Sequence, residues 1–206
     1  MIPQGQPLPQ PIPISGELHL TFSGPVEDVT ATRLMQQLDM ILNPTVTGIY
    51  ISMSTPGGSV NAGVMLHNYL RALPVPVTIH NIGQVDSIGN VVFLAGDKRY
   101  ASPATSFLYH GVTMTVNKND RITKSQLKEV MSQLEQDEKR IAAVITERTK
   151  ITKAQLTKFF EAGQALGPDE AVKFGVIDEI REATHPQGTV RAFFNSFPPP
   201  PNGPQN

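Results

Sequence analysis

Two residues of this chain stand where a hydroxyl can be turned into a nucleophile. Ser87 lies in Gly83-Gln84-Val85-Asp86-Ser87-Ile88-Gly89, and His110 follows Phe107-Leu108-Tyr109. A serine between a strand and a helix has its hydroxyl at a helix N-terminus, where the macrodipole favours developing negative charge. The same place suits an ordinary N-cap, which serine often supplies. A histidine at a strand end, with Gly111 clearing space beside it, can take a proton from a nearby hydroxyl near neutral pH. A third segment, Pro56-Gly57-Gly58-Ser59, lets bare backbone approach a substrate, and its N–H groups can line a peptide or hold an oxyanion. It is equally the composition of a turn before a helix. The histidines at 19, 67, 80 and 185 lie in no comparable context. Cysteine is absent and no histidine–carboxylate grouping has metal-ligand spacing, so neither metal nor other cofactor is expected.

Positioning these residues requires alternating strands and helices. Leu18-His19-Leu20-Thr21-Phe22 alternates like a strand, and residues 26–42 then carry Leu34, Leu38, Ile41 and Leu42 at helical spacing. Ile49–Ser54 is a β-rich run ending at the Pro-Gly-Gly breaker; Leu66, Tyr69, Leu70 and Leu73 mark the helix after it, stopped by Pro74. Val77–Ile82 is the next strand, residues 88–95 read as a buried apolar helix, and Arg99–Ala101 and Ser106–Tyr109 as short strands. Thr123 stands three before Gln126 and Thr152 three before Gln155, two capping boxes that start helices. The first is long, with an apolar seam at Leu127, Met131, Leu134, Ile141 and Ile145 that suits either a subunit contact or packing on its own domain. A short helix over Pro168–Phe174 and a strand over Val176–Ile180 close the pattern. Such alternation predicts an α/β domain with a largely parallel sheet, whose ligands bind beyond the C-terminal strand ends.

Composition narrows the setting. With 39% hydrophobic and 17% charged residues the chain is globular, and its 206 residues suffice for one ordinary domain. Five prolines within residues 1–13 and five within 198–204 predict proline-rich, disordered ends over 1–15 and 198–206 around a folded domain at 16–197. A net charge of −1 gives no reason to expect nucleic acid or an anionic membrane as partner. The first residues lack the positive charge and apolar run of a secretory signal, and no segment has the roughly 18 apolar residues of a membrane span. A cytoplasmic protein is expected.

The motifs together resemble the Clp protease proteolytic subunit family. Ser54-Thr55-Pro56-Gly57-Gly58-Ser59-Val60-Asn61-Ala62-Gly63 is similar to that family's Ser-Pro-Gly-Gly-Ser-Val-x-Ala-Gly segment, and Gly83–Gly89 to its Gly-Gln-Ala-Ala-Ser-Met-Gly nucleophile segment. Tyr109-His110 falls where the family has Ile-His, and Asp169–Asp178 is similar to its Glu-Ala-x-x-Tyr-Gly-Leu-Ile-Asp ending. The likeness runs in order over residues 16–181. It implies a Clp/crotonase-type fold of stacked ββα units with a long handle-like helix. It also implies a serine peptidase with Ser87 as nucleophile, His110 as general base and the backbone N–H groups of Gly58 and Ile88 as oxyanion hole. Peptides or unfolded proteins are the implied substrates, a homo-oligomer the implied assembly, and an ATPase unfoldase a further partner.

Two departures bear on those expectations. The family's third catalytic residue is an aspartate seven positions before the Glu of its Glu-Ala pair; counting back from Glu170 gives Gly163. Glu161 is the nearest acid to that place, and Asp86, where the family has alanine, is another. The vacancy admits a working dyad, a triad with a displaced acid, or a non-catalytic or regulatory subunit of a Clp-like assembly. In addition, Gly111–Lys118 replaces the family's Gln-Pro and glycine-rich strand, and a proline-rich stretch replaces its polar N-terminal segment. A double ring and ATPase docking are therefore left open by the sequence.

Overall fold

The computed structural model describes residues 16–114, 121–184 and, for its backbone, 191–195. The proline-rich ends predicted to be disordered lie outside the described residues. In chain order the elements are β1 (Gly16–Ser23), α1 (Asp28–Ile41), β2 (Val46–Thr55), α2 (Val60–Arg71), β3 (Val77–Asp86), α3 (Gly89–Phe93), β4 (Lys98–Ala101) and β5 (Ser106–Tyr109). They continue with α4 (Lys124–Arg148), α5 (Lys153–Ala162), β6 (Gln164–Leu166), α6 (Pro168–Lys173), β7 (Glu179–Ile180) and β8 (Arg191–Asn195). The sheet runs β6-β5-β3-β2-β1-β8, with β4 paired to β3 and β7 to β4. Every described pairing is parallel except β5 with β6. The expected α/β class and parallel sheet are borne out.

Period-two alternation builds the core. Leu18, Leu20 and Phe22 of β1, Ile49, Ile51 and Met53 of β2, and Val77 and Ile79 of β3 form one buried cluster with Leu34 and Leu38 of α1 and Leu66 and Leu70 of α2. β3 is the strand that matters for the site, because it has two neighbours on one side. Its first half, Thr78–Asn81, pairs with β4; its second half, Gln84–Asp86, pairs with Ser106–Leu108 of β5. That second pairing carries the chain ends at Ser87 and His110 side by side.

Three expectations change in detail. The strand expected over Val176–Ile180 is confined to Glu179–Ile180, because the Val176 and Ile177 amides donate to Ala171 O at the end of α6. The apolar seam of α4 is divided: Ile141 and Ile145 are core residues, while Leu127 and Met131 are more than half exposed. β6 and β8 were not anticipated, being short segments without a clear alternation. Both capping boxes form, on Thr123 and on Thr152.

His67, buried on α2, ties that helix to α3: its Nδ1–H donates to Val91 O at 2.7 Å. Burial lowers its pKa from the ordinary 6.5, the Arg148 and Arg71 charges act in the same direction, and the Val91 carbonyl and Glu147 oppose them. The unfolded chain therefore binds a proton more readily, so this group's contribution to stability is present above about pH 6.5 and is lost as pH falls below it. Between pH 7 and pH 5 the wild type should lose about 2–4 °C more in Tm than His67→Asn, which keeps a donor for Val91. Equal losses in a thermal scan at the two pH values would remove His67 as the cause.

Candidate active site

Ser87 is the one non-glycine residue with positive φ among the described residues, at 55°. A left-handed serine is strained by about 1–3 kcal/mol and persists only where its surroundings over-determine it. Here they do. Ser87 N–H donates to Leu108 O at 2.8 Å, and Ser87 O accepts from the backbone and side-chain amides of Asn90, each at 3.1 Å. Asn90 Nδ2 also donates to Leu108 O at 2.8 Å, clamping the start of α3 to β5. The N-cap of α3 is Ile88, without a side-chain cap bond. Ser87 Oγ makes no hydrogen bond to a described residue, so the hydroxyl is not used as a cap.

The Pro-Gly-Gly turn lies directly against this serine. A Cβ on Gly57 (φ 89°) would stand 2.6 Å from Ser87 Cβ and 2.8 Å from Asp86 O, so only glycine lets the two turns approach. Gly58, bridged to Val26, leads into α2, whose N-cap Ser59 accepts from Ala62 N at 3.3 Å. Among the described residues, neither the Gly58 nor the Ile88 amide donates a hydrogen bond outside regular helix and strand pairing. Two open N–H groups beside a serine hydroxyl are what an oxyanion hole requires.

His110 completes the arrangement. Its Nδ1 lies 2.7 Å from Gly111 O. A carbonyl only accepts, so Nδ1 carries the proton, and in the neutral ring Nε2 holds the lone pair. Gly58, Ser87, Ile88 and His110 line a single cleft of about 60 Å³, with Val60, Ile141, Ile145 and Phe160 as its apolar wall. No direct hydrogen bond joins Ser87 Oγ to His110; such bonds commonly tighten only when substrate is held.

Among the described residues no carboxylate is bonded to the ring. Gly163 ends α5 in the left-handed conformation (φ 65°, ψ 57°), its N–H donating to Phe159 O, and so serves as a C-cap. Glu161, the nearest acid in sequence, is exposed and has no described bond to His110. Asp86 is half-buried; burial raises its carboxyl pKa, while the Leu108 backbone and the nearby His110 charge pull it down. The sequence reading missed two contributors. Asn90 was signalled only as a polar residue within the apolar run 88–95. The Gly111 carbonyl had no signal, since any residue supplies one.

A strained serine at a strand–helix turn, open amides beside it and a histidine in the same cleft thus form one candidate site on a parallel sheet. The chain belongs to the Clp protease family, whose profile matches residues 14–184. It is 28% identical over 164 residues to an ATP-dependent Clp protease proteolytic subunit of Deinococcus radiodurans, covering 78% of this chain and 78% of that one. It is also 28% identical over 170 residues to ATP-dependent Clp protease proteolytic subunit 2 of Pseudomonas aeruginosa, covering 80% and 83%. In fold it is similar to a mutant of ClpP1 from Listeria monocytogenes, with a TM-score of 0.69, 22% identity, and 80% and 91% of the two chains covered. The expected Clp/crotonase-type fold is thereby shown. No helix of the described residues is long and apolar enough to cross a membrane.

Proposed function

We propose that this chain is a catalytically active proteolytic subunit that cleaves peptide bonds with Ser87 and His110. Ser87 Oγ attacks the scissile carbonyl carbon as its proton passes to His110 Nε2. The carbonyl oxygen, now anionic, accepts from the Gly58 and Ile88 amides. The imidazolium then returns the proton to the leaving amine as the C–N bond breaks, and water hydrolyses the acyl-enzyme by the same route. One observation carries this reading: residues from three separate segments line one cleft, with the imidazole turned so that Nδ1 is bonded and Nε2 is available.

The relatives are named as proteolytic subunits of an ATP-dependent protease. On that basis the substrates are peptides or unfolded proteins, the working form is a cytoplasmic homo-oligomer, and an ATP-consuming unfoldase is the partner. A second reading, a non-catalytic or regulatory subunit, is favoured by one feature, the glycine C-cap at 163 where the family has its aspartate. A fluorophosphonate probe separates the two. The active reading expects covalent label on the peptide containing Ser87 and hydrolysis of a fluorogenic peptide that the probe blocks. A folded protein that takes no label at saturating probe, and hydrolyses nothing, would establish the second reading.

A further inference from the structure

The aspartate of a serine–histidine–aspartate triad does two separable things: it holds the imidazole in one tautomer and orientation, and it stabilises the imidazolium once formed. We propose that in this protein the two duties fall to different groups, the Gly111 carbonyl orienting the His110 ring and the Asp86 carboxylate supplying the negative charge. The proposal rests on the catalytic roles given above to Ser87 and His110.

The first duty is carried by the 2.7 Å contact from Nδ1–H to Gly111 O. A carbonyl is neutral, however, and offers an imidazolium a dipole where a carboxylate offers a full charge. The second duty follows from register. Asp86 of β3 pairs in parallel with Leu108 of β5. Residues two apart on an extended chain share a face, which puts His110 on the side of Leu108 and therefore of Asp86. Burial agrees, since Phe107 and Tyr109 are buried whereas Leu108 and His110 are half-buried. Asp86 Oδ1 is itself buried without a hydrogen bond of ordinary geometry, the Leu108 backbone being the donor that acts on this carboxyl; a cation forming nearby relieves the cost of that burial. The electrostatic influence of His110 reaches this carboxyl.

Two other acids stand on α4 and α5, the helices that pack against this segment. Glu138 of α4 is half-buried, with Oε1 3.4 Å from where a Cβ on Gly111 would stand, and Glu161 at the end of α5 is exposed. Solvent screens both more than it screens the buried Asp86 oxygen.

The test reads the His110 ring directly. In full-length Ser87→Ala protein carrying ¹⁵N-histidine, the ring is titrated by NMR alone, with Asp86→Asn added, and with Glu138→Gln added. Asp86→Asn should move the ring's titration to lower pH, because the protonated ring loses its counter-charge. The Nδ1–H tautomer should persist, since Gly111 O is untouched. With Ser87 restored, Asp86→Asn should slow fluorophosphonate labelling by about tenfold and move the acid limb of its pH profile to lower pH by the same shift. A purely structural role for Asp86 would not move that limb. A ring pKa that ignores Asp86→Asn, or that responds as much to Glu138→Gln, overturns the proposal. Failure of the catalytic reading shows differently, as absence of label on the unsubstituted protein whatever the ring pKa does.

Discussion

Ser87→Ala should remove all covalent labelling by a fluorophosphonate and lower peptide hydrolysis by at least about 10⁴-fold while leaving Tm within about 1 °C of the wild type. The loss is large because Ser87 is the hydroxyl set in the turn beside the open Gly58 and Ile88 amides, whereas the other hydroxyls lining the cleft, Tyr109 and Thr113, belong to the segment of His110. Stability should hold because the bonds that fix the turn are made by the Ser87 backbone and by Asn90, and the hydroxyl makes none to a described residue. Alanine takes the same left-handed φ at a cost similar to serine's. Purified Ser87→Ala protein that still hydrolysed peptides at the wild-type rate would place the chemistry elsewhere.

His110→Ala comes next in size. A positioned general base is worth about 10²–10⁴-fold, and its effect falls on kcat because the proton moves in the transition state. With no carboxylate among the described residues bonded to the ring, the lower half of that range is expected, a fall in kcat of about 10²–10³-fold with KM little changed. The ring is half-buried and its one described hydrogen bond is to the neighbouring Gly111 O, so truncation leaves a small void and no buried orphan of consequence. Steady-state kinetics on one peptide substrate decides the matter. A rise in KM at unchanged kcat would make His110 a substrate-binding residue.

Much of this was legible in the amino-acid sequence because it depends on local chemistry. The alternation of β1 to β3, the breaker at Gly57-Gly58, the capping boxes of α4 and α5 and the apolar run of α3 are each set by neighbours a few residues apart, and each formed where its residues predicted. The motifs at 54–63, 83–89 and 109–110 pointed to Gly58, Ser87, Ile88 and His110 as candidates before any contact was known. The surroundings of the histidine were not legible. Glu161 was the nearest acid along the chain, yet it sits exposed on α5, and Gly163 itself serves as the left-handed C-cap of that helix. Asp86 read as a second acid for the vacated position without a route to His110; the parallel register of β3 on β5, which pairs it with Leu108, puts it on the face that His110 shares. The ring's actual partner is a main-chain oxygen. Every residue carries that oxygen, so the amino-acid code marks neither its presence nor its direction, and only the tertiary path of the backbone after β5 aims it at Nδ1.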